Sequence, residues 1–338
     1  MKGTLNNISI KGIASAVPEN TFDNIKYAEG LSDRRKKKQV KLTGIFERRV
    51  CRDGQTASDL ATVAAEALLE KVKWNKDEIS VMIYVTQSSD IQRPSTAFII
   101  QSRLGLPKES MVFDINQGCA GYIIGLIALS GMLQLTKGKG LLLVGESNAK
   151  EGDELTGNQL LDGAAASATA VEYSDNENDV IPYLAYCDGS RSPLLFTNHK
   201  GYGFMDGNAI LLFGLTDVAN ALKKFMSDNN ISEDMVDFYA FHQAQQMIVD
   251  GVSREAGVSE DKVMYSCGEF GNTSSASVPL TLCKEKENKN LENEAKVILC
   301  GYGIGLTWAM LYVNLDFSKV YPIIETSYVY DDRKNYNL

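Results

Sequence analysis

The chain has 338 residues, 44% hydrophobic and 23% charged, an ordinary globular composition with material for one large core or two smaller ones. A net charge of -9 and a pI near 5.0 argue against a general nucleic-acid binder, which must neutralise phosphates. The opening "MKGTLNNISI" is too polar for a signal-peptide core and no apolar run reaches spanning length, so a cytoplasmic protein without membrane insertion is expected.

In chain order, the first feature is "DRRKKK" from Asp33 to Lys38, followed by Lys41, Arg48 and Arg49, a basic island in an acidic chain. It reads either as a solvated helix face or as a site for an anion such as a nucleotide phosphate or an acidic carrier protein. Next, "ASDLATVAAEALLEKV" repeats apolar residues at helical spacing, with Ser58 or Asp59 as the expected N-cap. Apolar runs then start at Ile79, Ser110, Gly140, Val236 and Ala295, and they suit strands buried on both faces inside a sheet. The fold class is therefore α/β. A small-residue strand, "LDGAAASATAVEY", gives way to the turn-prone "SDNENDV", which places a boundary near Ser174 between halves 1–174 and 175–338. From Ser318 onward the periodicity fades into a polar, tyrosine-rich tail expected to lie on the surface or on a partner.

Six cysteines are scattered without a CxxC pair, so they read as separate thiols and suggest neither a zinc site nor a disulfide framework. Cys119 stands apart. In "FDINQGCAGYIIGLIALSGMLQL" it sits between glycines where a strand becomes a helix, and a thiol at a helix N-terminus is favoured as a thiolate. Taken alone, such a cysteine is more often small core filler, but the strand-to-helix elbow exposes its tip. Only His199 and His242 could supply an imidazole. His242 follows the strand "VDFYAF", whereas His199 lies in the polar loop "TNHKGYG". Asn272, in "GEFGNTSSASVPL", is either a helix cap or a site residue. The turn "GYGIGLTWAM" could aim main-chain N–H groups at an oxyanion, and it is too short of the full glycine fingerprint for a dinucleotide site.

Together and in this order, "DINQGCAGY", "FHQAQ", "GNTSSAS" and "GYGIGLTW" resemble the thiolase superfamily, specifically its β-ketoacyl-ACP synthase III branch, over nearly the whole chain. The resemblance implies a five-layered αβαβα fold of two similar halves and a homodimer. It further implies Cys119 as the acyl-accepting nucleophile, His242 and Asn272 as its partners in carbon–carbon bond formation, and the N–H groups of Cys119 and Ile304 as the oxyanion hole. No metal or bound cofactor is implied. The substrates would be an acyl-CoA or acyl-ACP donor and a malonyl-ACP acceptor. Arg93, Arg48 and Gly303 are the expected substrate contacts.

The chain departs from the family where it would hold CoA or its carrier. Lys38 and Leu42 replace the usual tryptophan and arginine, Gln245 and Met247 replace an asparagine and an arginine, and Leu212 replaces a lysine. Arg93 stands where an apolar residue often closes the partner's acyl pocket. These changes point to a specialised relative. Two alternatives stay open: transfer of the acyl group to an alcohol or amine, and a non-catalytic partner of another synthase.

Overall fold

The computed structural model describes residues 1–26, 32–147, 160–177, 179–199 and 203–336. In chain order the strands begin with β1 (Lys2–Asn6), β2 (Ile8–Pro18), β3 (Thr21–Asp23), β4 (Glu47–Arg49), β5 (Ile79–Val85), β6 (Met111–Ile115) and β7 (Lys139–Ser147). They continue with β8 (Ala164–Tyr173), β9 (Val180–Cys187), β10 (Leu195–Thr197), β11 (Gly203–Met205), β12 (Phe238–Phe241), β13 (Glu294–Gly303), β14 (Thr307–Asp316) and β15 (Ile324–Thr326). One six-stranded sheet has the order β15-β2-β8-β7-β5-β6, and a five-stranded sheet has the order β1-β9-β14-β13-β12. Each terminus crosses over, since β1 pairs with β9 in the second sheet and β15 runs parallel to β2 in the first.

Four helices of the N-terminal region matter here: α1 (Asp33–Thr43), α2 (Ala57–Val72), α3 (Thr96–Leu104) and α4 (Gly121–Thr136). Leu60, Ala64 and Leu68 of α2 and Ile100 of α3 pack on Met82, Leu141 and Ala166, covering the outer face of the first sheet. Between the sheets lie α4 and the helix Ser277–Lys289; Tyr122, Leu126, Leu129, Leu280 and Leu282 meet Ile83 and Val144 on one side and Leu299 and Leu311 on the other. The outer face of the second sheet is covered by Leu222, Phe225, Val249 and Val252. The result is the expected αβαβα layering. Because α4 is apolar all round, it can only be a middle layer, and each fully buried Leu or Ile on it contributes about 2 kcal/mol. Gly125 admits this packing, since a Cβ there would lie 2.6 Å from Leu142 Cδ1.

Helix α2 is capped differently from the expectation. Its N-cap is Thr56, not Ser58 or Asp59; the Asp59 carboxylate accepts the Thr56 N–H at 2.9 Å, and the Ser58 hydroxyl donates to Asp90 at 2.6 Å. Asp59 therefore serves the cap from the third helical position, as the acid of a capping box with Thr56, while Ser58 is drawn away to Asp90. Among the described residues no helix is long and apolar enough to cross a membrane.

The tail is ordered by charge. After β15, the Asp332 carboxylate accepts two hydrogen bonds from Arg103, at 2.7 and 2.9 Å, and the Arg103 guanidinium lies 4.6 Å from the Tyr330 ring centre. The Arg103 side chain is 2% exposed and also reaches Asp59 at 3.3 Å, so the tail closes over a buried cluster on α2 and α3.

Candidate active site

Strand β6 ends at Ile115, the chain turns through Gly118, whose carbonyl accepts the Gly121 N–H, and α4 begins. Cys119 occupies this elbow. Small residues make the elbow possible, because a Cβ on Gly121 would meet Val85 Cγ1 at 2.5 Å and one on Gly301 would meet the Cys119 carbonyl oxygen at 3.0 Å. A Cβ on Gly303 would come within 2.7 Å of Cys119 Sγ. Strand β13 thus offers bare backbone to the nucleophile's elbow.

Cys119 is partly exposed, and its Sγ lies 3.9 Å from Ser274 Oγ. Burial pushes its pKa above the ordinary thiol value, while the Ser274 hydroxyl, the Ile304 N–H and its own N–H pull it back down. Desolvation thus opposes the thiolate that the helix N-terminus favours, and the hydrogen bonds at the elbow offset part of it. The Ile304 N–H and the N–H of Cys119 itself are hydrogen-bonding neighbours of this sulfur.

His242 continues from β12, with its N–H donating to Cys300 O at 2.7 Å, and it is 1% exposed. Its Nδ1 lies 2.8 Å from Ser277 Oγ, and burial pushes its pKa down to about 3 against a smaller upward pull from the Ser274 backbone. It is a neutral imidazole at any physiological pH. His199 is exposed, and the adjoining residues 200–202 lie outside the described residues.

Asn272 takes the capping role and stands two residues before Ser274, which faces Cys119. Its Oδ1 accepts the Ser274 N–H at 2.9 Å, so it caps the following turn, and Nδ2 has no partner among the described residues. Its main chain is held by Leu161 and Gly163. The segment Asn272–Ser277 gathers the site: Ser274 faces Cys119, Ser275 reaches Glu146 at 3.4 Å, and Ser277 holds His242.

Glu146, Gln87 and Asp162 belong to this neighbourhood and were not singled out from sequence. Glu146 is fully buried, accepts the Gln87 N–H at 3.0 and 3.2 Å and the Ser88 hydroxyl at 2.8 Å, and burial pushes its pKa up to about 8. Its signal was the acid ending the apolar strand "GLLLVGES". Burial likewise raises Asp162 to about 6, with Arg48 opposing. Arg48 is 2% exposed and commits Nε to Asn24 Oδ1 at 2.7 Å and Nη1 to the Asp162 carbonyl at 2.8 Å, which makes it a brace for the Asp162 loop. Arg93 is exposed and forms no ion pair among the described residues. On α1, Arg34, Arg35, Lys37, Lys38 and Lys41 are exposed, forming a solvated basic face. Beside them, Leu42 and Phe46 are also exposed. All six cysteines are free thiols, and no group of three or more potential metal ligands occurs among the described residues.

The family model for the 3-oxoacyl-[acyl-carrier-protein] synthase III C-terminal region matches residues 226–315. A β-ketoacyl-[acyl-carrier-protein] synthase III of Staphylococcus aureus is 29% identical over 311 residues, spanning 91% of this chain and 99% of that protein. The crystal structure of a 3-oxoacyl-(acyl-carrier protein) synthase from Burkholderia xenovorans superposes with a TM-score of 0.91 at 29% identity, covering 96% of this chain and 99% of that one. The cerulenin-bound OleA of Xanthomonas campestris shares the fold, with a TM-score of 0.82 at 24% identity over 92% of this chain and 98% of that one.

Proposed function

We propose that this chain, a 3-oxoacyl-ACP synthase III-like condensing enzyme of the thiolase superfamily, loads an acyl group from a CoA or carrier-protein thioester onto Cys119 and joins it to malonyl-ACP with loss of CO₂. In the first half, Sγ attacks the thioester carbonyl, the bond to the carrier sulfur breaks, and the cysteine proton departs with the carrier thiol. The N–H groups of Cys119 and Ile304 receive the oxyanion, a donor role typically worth about 10²–10³ each in rate. In the second half, the malonyl carboxylate leaves as CO₂ and its electron pair becomes an enolate. Neutral His242 and the Asn272 amide donate to the enolate oxygen, its carbon attacks the acyl carbonyl, and the Cys119 thiolate leaves. No cofactor beyond the thioesters enters these steps.

The observation carrying this reading is that one six-residue segment, Asn272–Ser277, touches the Cys119 sulfur and His242 and leaves the Asn272 Nδ2 free to donate. The division into halves 1–174 and 175–338 belongs to the same reading. So does a homodimer: β6 is an edge strand whose Met111, like Phe98 of α3, leaves apolar surface exposed. The basic face of α1 suits a CoA phosphate or an acidic carrier. The cytoplasm, which keeps thiols reduced, suits a working Cys119.

The test is intact-protein mass after incubation with a panel of acyl thioesters, with Cys119→Ala as control. Wild type should gain one acyl mass and the variant none, and adding malonyl-ACP should release a 3-oxoacyl product. No gain on wild type with any donor would refute the enzyme reading in favour of a non-catalytic partner. Release as an ester or amide would redirect it to simple acyl transfer.

A further inference from the structure

The turn before Cys119 is lined by amides. Gln87 and Asn116 are both exposed, and Gln87 Nε2 donates to Asn116 Oδ1 at 3.1 Å. Gln87 Oε1 occupies the space that a side chain on Gly118 would take, since a Cβ there would lie 2.6 Å from it and equally 2.6 Å from Ile304 Cγ2. Glycine at 118 therefore admits the Gln87 amide next to the nucleophile and beside the residue whose N–H faces the sulfur. This position is also fixed from behind, because fully buried Glu146 takes the Gln87 N–H on both carboxyl oxygens and the Ser88 hydroxyl on one.

Two amides that share one hydrogen bond leave one NH2 group and one carbonyl oxygen wholly unspent. Here these are Asn116 Nδ2 and Gln87 Oε1, neither of which has a further partner among the described residues. Turning both amides over exchanges the atoms and again leaves one of each, so the result does not depend on how oxygen and nitrogen are assigned. A group that both donates and accepts, a hydroxyl or an amide, satisfies such a pair. A carboxylate does not, because it has no donor for the Gln87 oxygen. An aliphatic chain would bury the pair unsatisfied.

We propose that Gln87 and Asn116 form a subsite beside Cys119 that selects acyl groups bearing a hydroxyl or amide within the first few carbons. This rests on the acyl-enzyme reading above and narrows its substrate class. The experiment measures the rate of mass gain on Cys119 in the full chain with butyryl-CoA against 3-hydroxybutyryl- and 4-hydroxybutyryl-CoA, which differ by one hydroxyl. At least one hydroxylated donor should load roughly tenfold faster than butyryl, the scale of one neutral hydrogen bond made in a preorganised site. In Gln87→Leu and Asn116→Leu the ratio should fall to about one or reverse; both positions are exposed, so the variants are expected to fold. Butyryl loading as fast as both hydroxylated donors in wild type, or a preference that survives both substitutions, overturns the subsite while leaving the acyl-enzyme reading in place. Loading by no thioester at all overturns that reading and the subsite with it.

Discussion

The hydroxyl of Ser277 lies 2.8 Å from Nδ1 of His242, deep in the protein. The same oxygen receives the Gln243 N–H at 3.3 Å, so its proton is free to point at the imidazole. With that proton on the imidazole, Nδ1 accepts and the ring proton sits on Nε2, the tautomer needed to donate to an enolate. Ser277→Ala removes this selection. Condensation is expected to fall roughly tenfold to a hundredfold, part of what a preorganised donor supplies, while acyl loading of Cys119 stays within about twofold. The nitrogen-15 shifts of His242 would report the change directly, and unchanged Nδ1 and Nε2 shifts would count against the tautomer assignment.

Glu146 makes stability depend on pH. Its folded pKa of about 8 lies above the ordinary 4.5, so the native state holds a proton that the unfolded chain has lost. Its stabilising contribution is complete below about 4.5 and is lost as pH rises through 8. Glu146→Gln cannot titrate, so its melting temperature should rise relative to wild type between about pH 5 and 8 and then level off. A tenfold difference in proton affinity between folded and unfolded chain is worth about 1.4 kcal/mol, so a gap of several degrees is expected. His242 has the opposite sign: its folded value of about 3 lies below 6.5, so its contribution is present above 6.5 and lost as pH falls toward 3 in both proteins. A gap that does not change with pH would mean that the hydrogen bonds from Gln87, Ser88 and Ser275 hold Glu146 ionised.

Asn272 separates the two half-reactions. Its Oδ1 orders the Ser274 turn and its Nδ2 is the free donor. Asn272→Asp keeps the capping oxygen and replaces the donor with a charge that would repel an enolate. Loading should persist and decarboxylative condensation should fall by about 10² or more. Asn272→Ala should show the same loss and, in addition, cost about 1 kcal/mol of stability through the vacated cap. Equal condensation by the aspartate variant would remove Asn272 from the second half-reaction.

Gly303 tests the closeness of β13 to the nucleophile. A Cβ at this position would sit 2.7 Å from Cys119 Sγ and Cβ, and both ends are tied to sheet or helix backbone. Gly303→Ala should therefore displace Cys119 from the Ile304 N–H. Alkylation of Cys119 by iodoacetamide and acyl loading should drop together, by roughly tenfold or more, the scale of losing one oxyanion donor. Unchanged alkylation would show that the elbow has slack.

Much of this architecture could be read from residue patterns. Apolar runs at Ile79, Gly140 and Ala295 had no solvent-facing side, so they had to be interior strands, and the all-round apolar α4 had to be a middle layer. Cys119, His242 and Asn272 were recognisable because each follows a buried strand or tight turn with its own composition. Glu146 and Gln87 were not, because their importance comes from long-range contacts: Glu146 is 59 residues from the N–H it accepts, and one acid at the end of a strand looks like any other. The same limit hid the role of Arg48, whose basic surroundings suggested an anion site while its actual neighbours are Asn24 and the Asp162 carbonyl. The N-cap of α2 was misplaced because Thr56, Ser58 and Asp59 are all good capping types, and only their contacts show Asp59 completing a capping box on Thr56 while Ser58 donates to Asp90.

The tail gives the last prediction. Arg103 sits 2% exposed within 4 Å of three carboxylates, those of Asp59, Asp90 and Asp332, and only Asp332 comes from beyond β15. The Asp90 main-chain N–H donates to Thr96 Oγ1 at 3.1 Å, which ties the loop after Gln87 to α3. Asp332→Ala strips two charge-assisted hydrogen bonds from a buried guanidinium that still has Asp59 as a partner. The cost should be about 2 kcal/mol, below the roughly 3–5 of a fully buried broken pair because the Asp332 side chain itself is 29% exposed. Denaturant unfolding would measure it, and hydrogen exchange should quicken in peptides covering 88–96 and 327–336 while those of β7 keep their protection. Loss of stability without faster exchange at 88–96 would confine the role of Asp332 to pinning the tail.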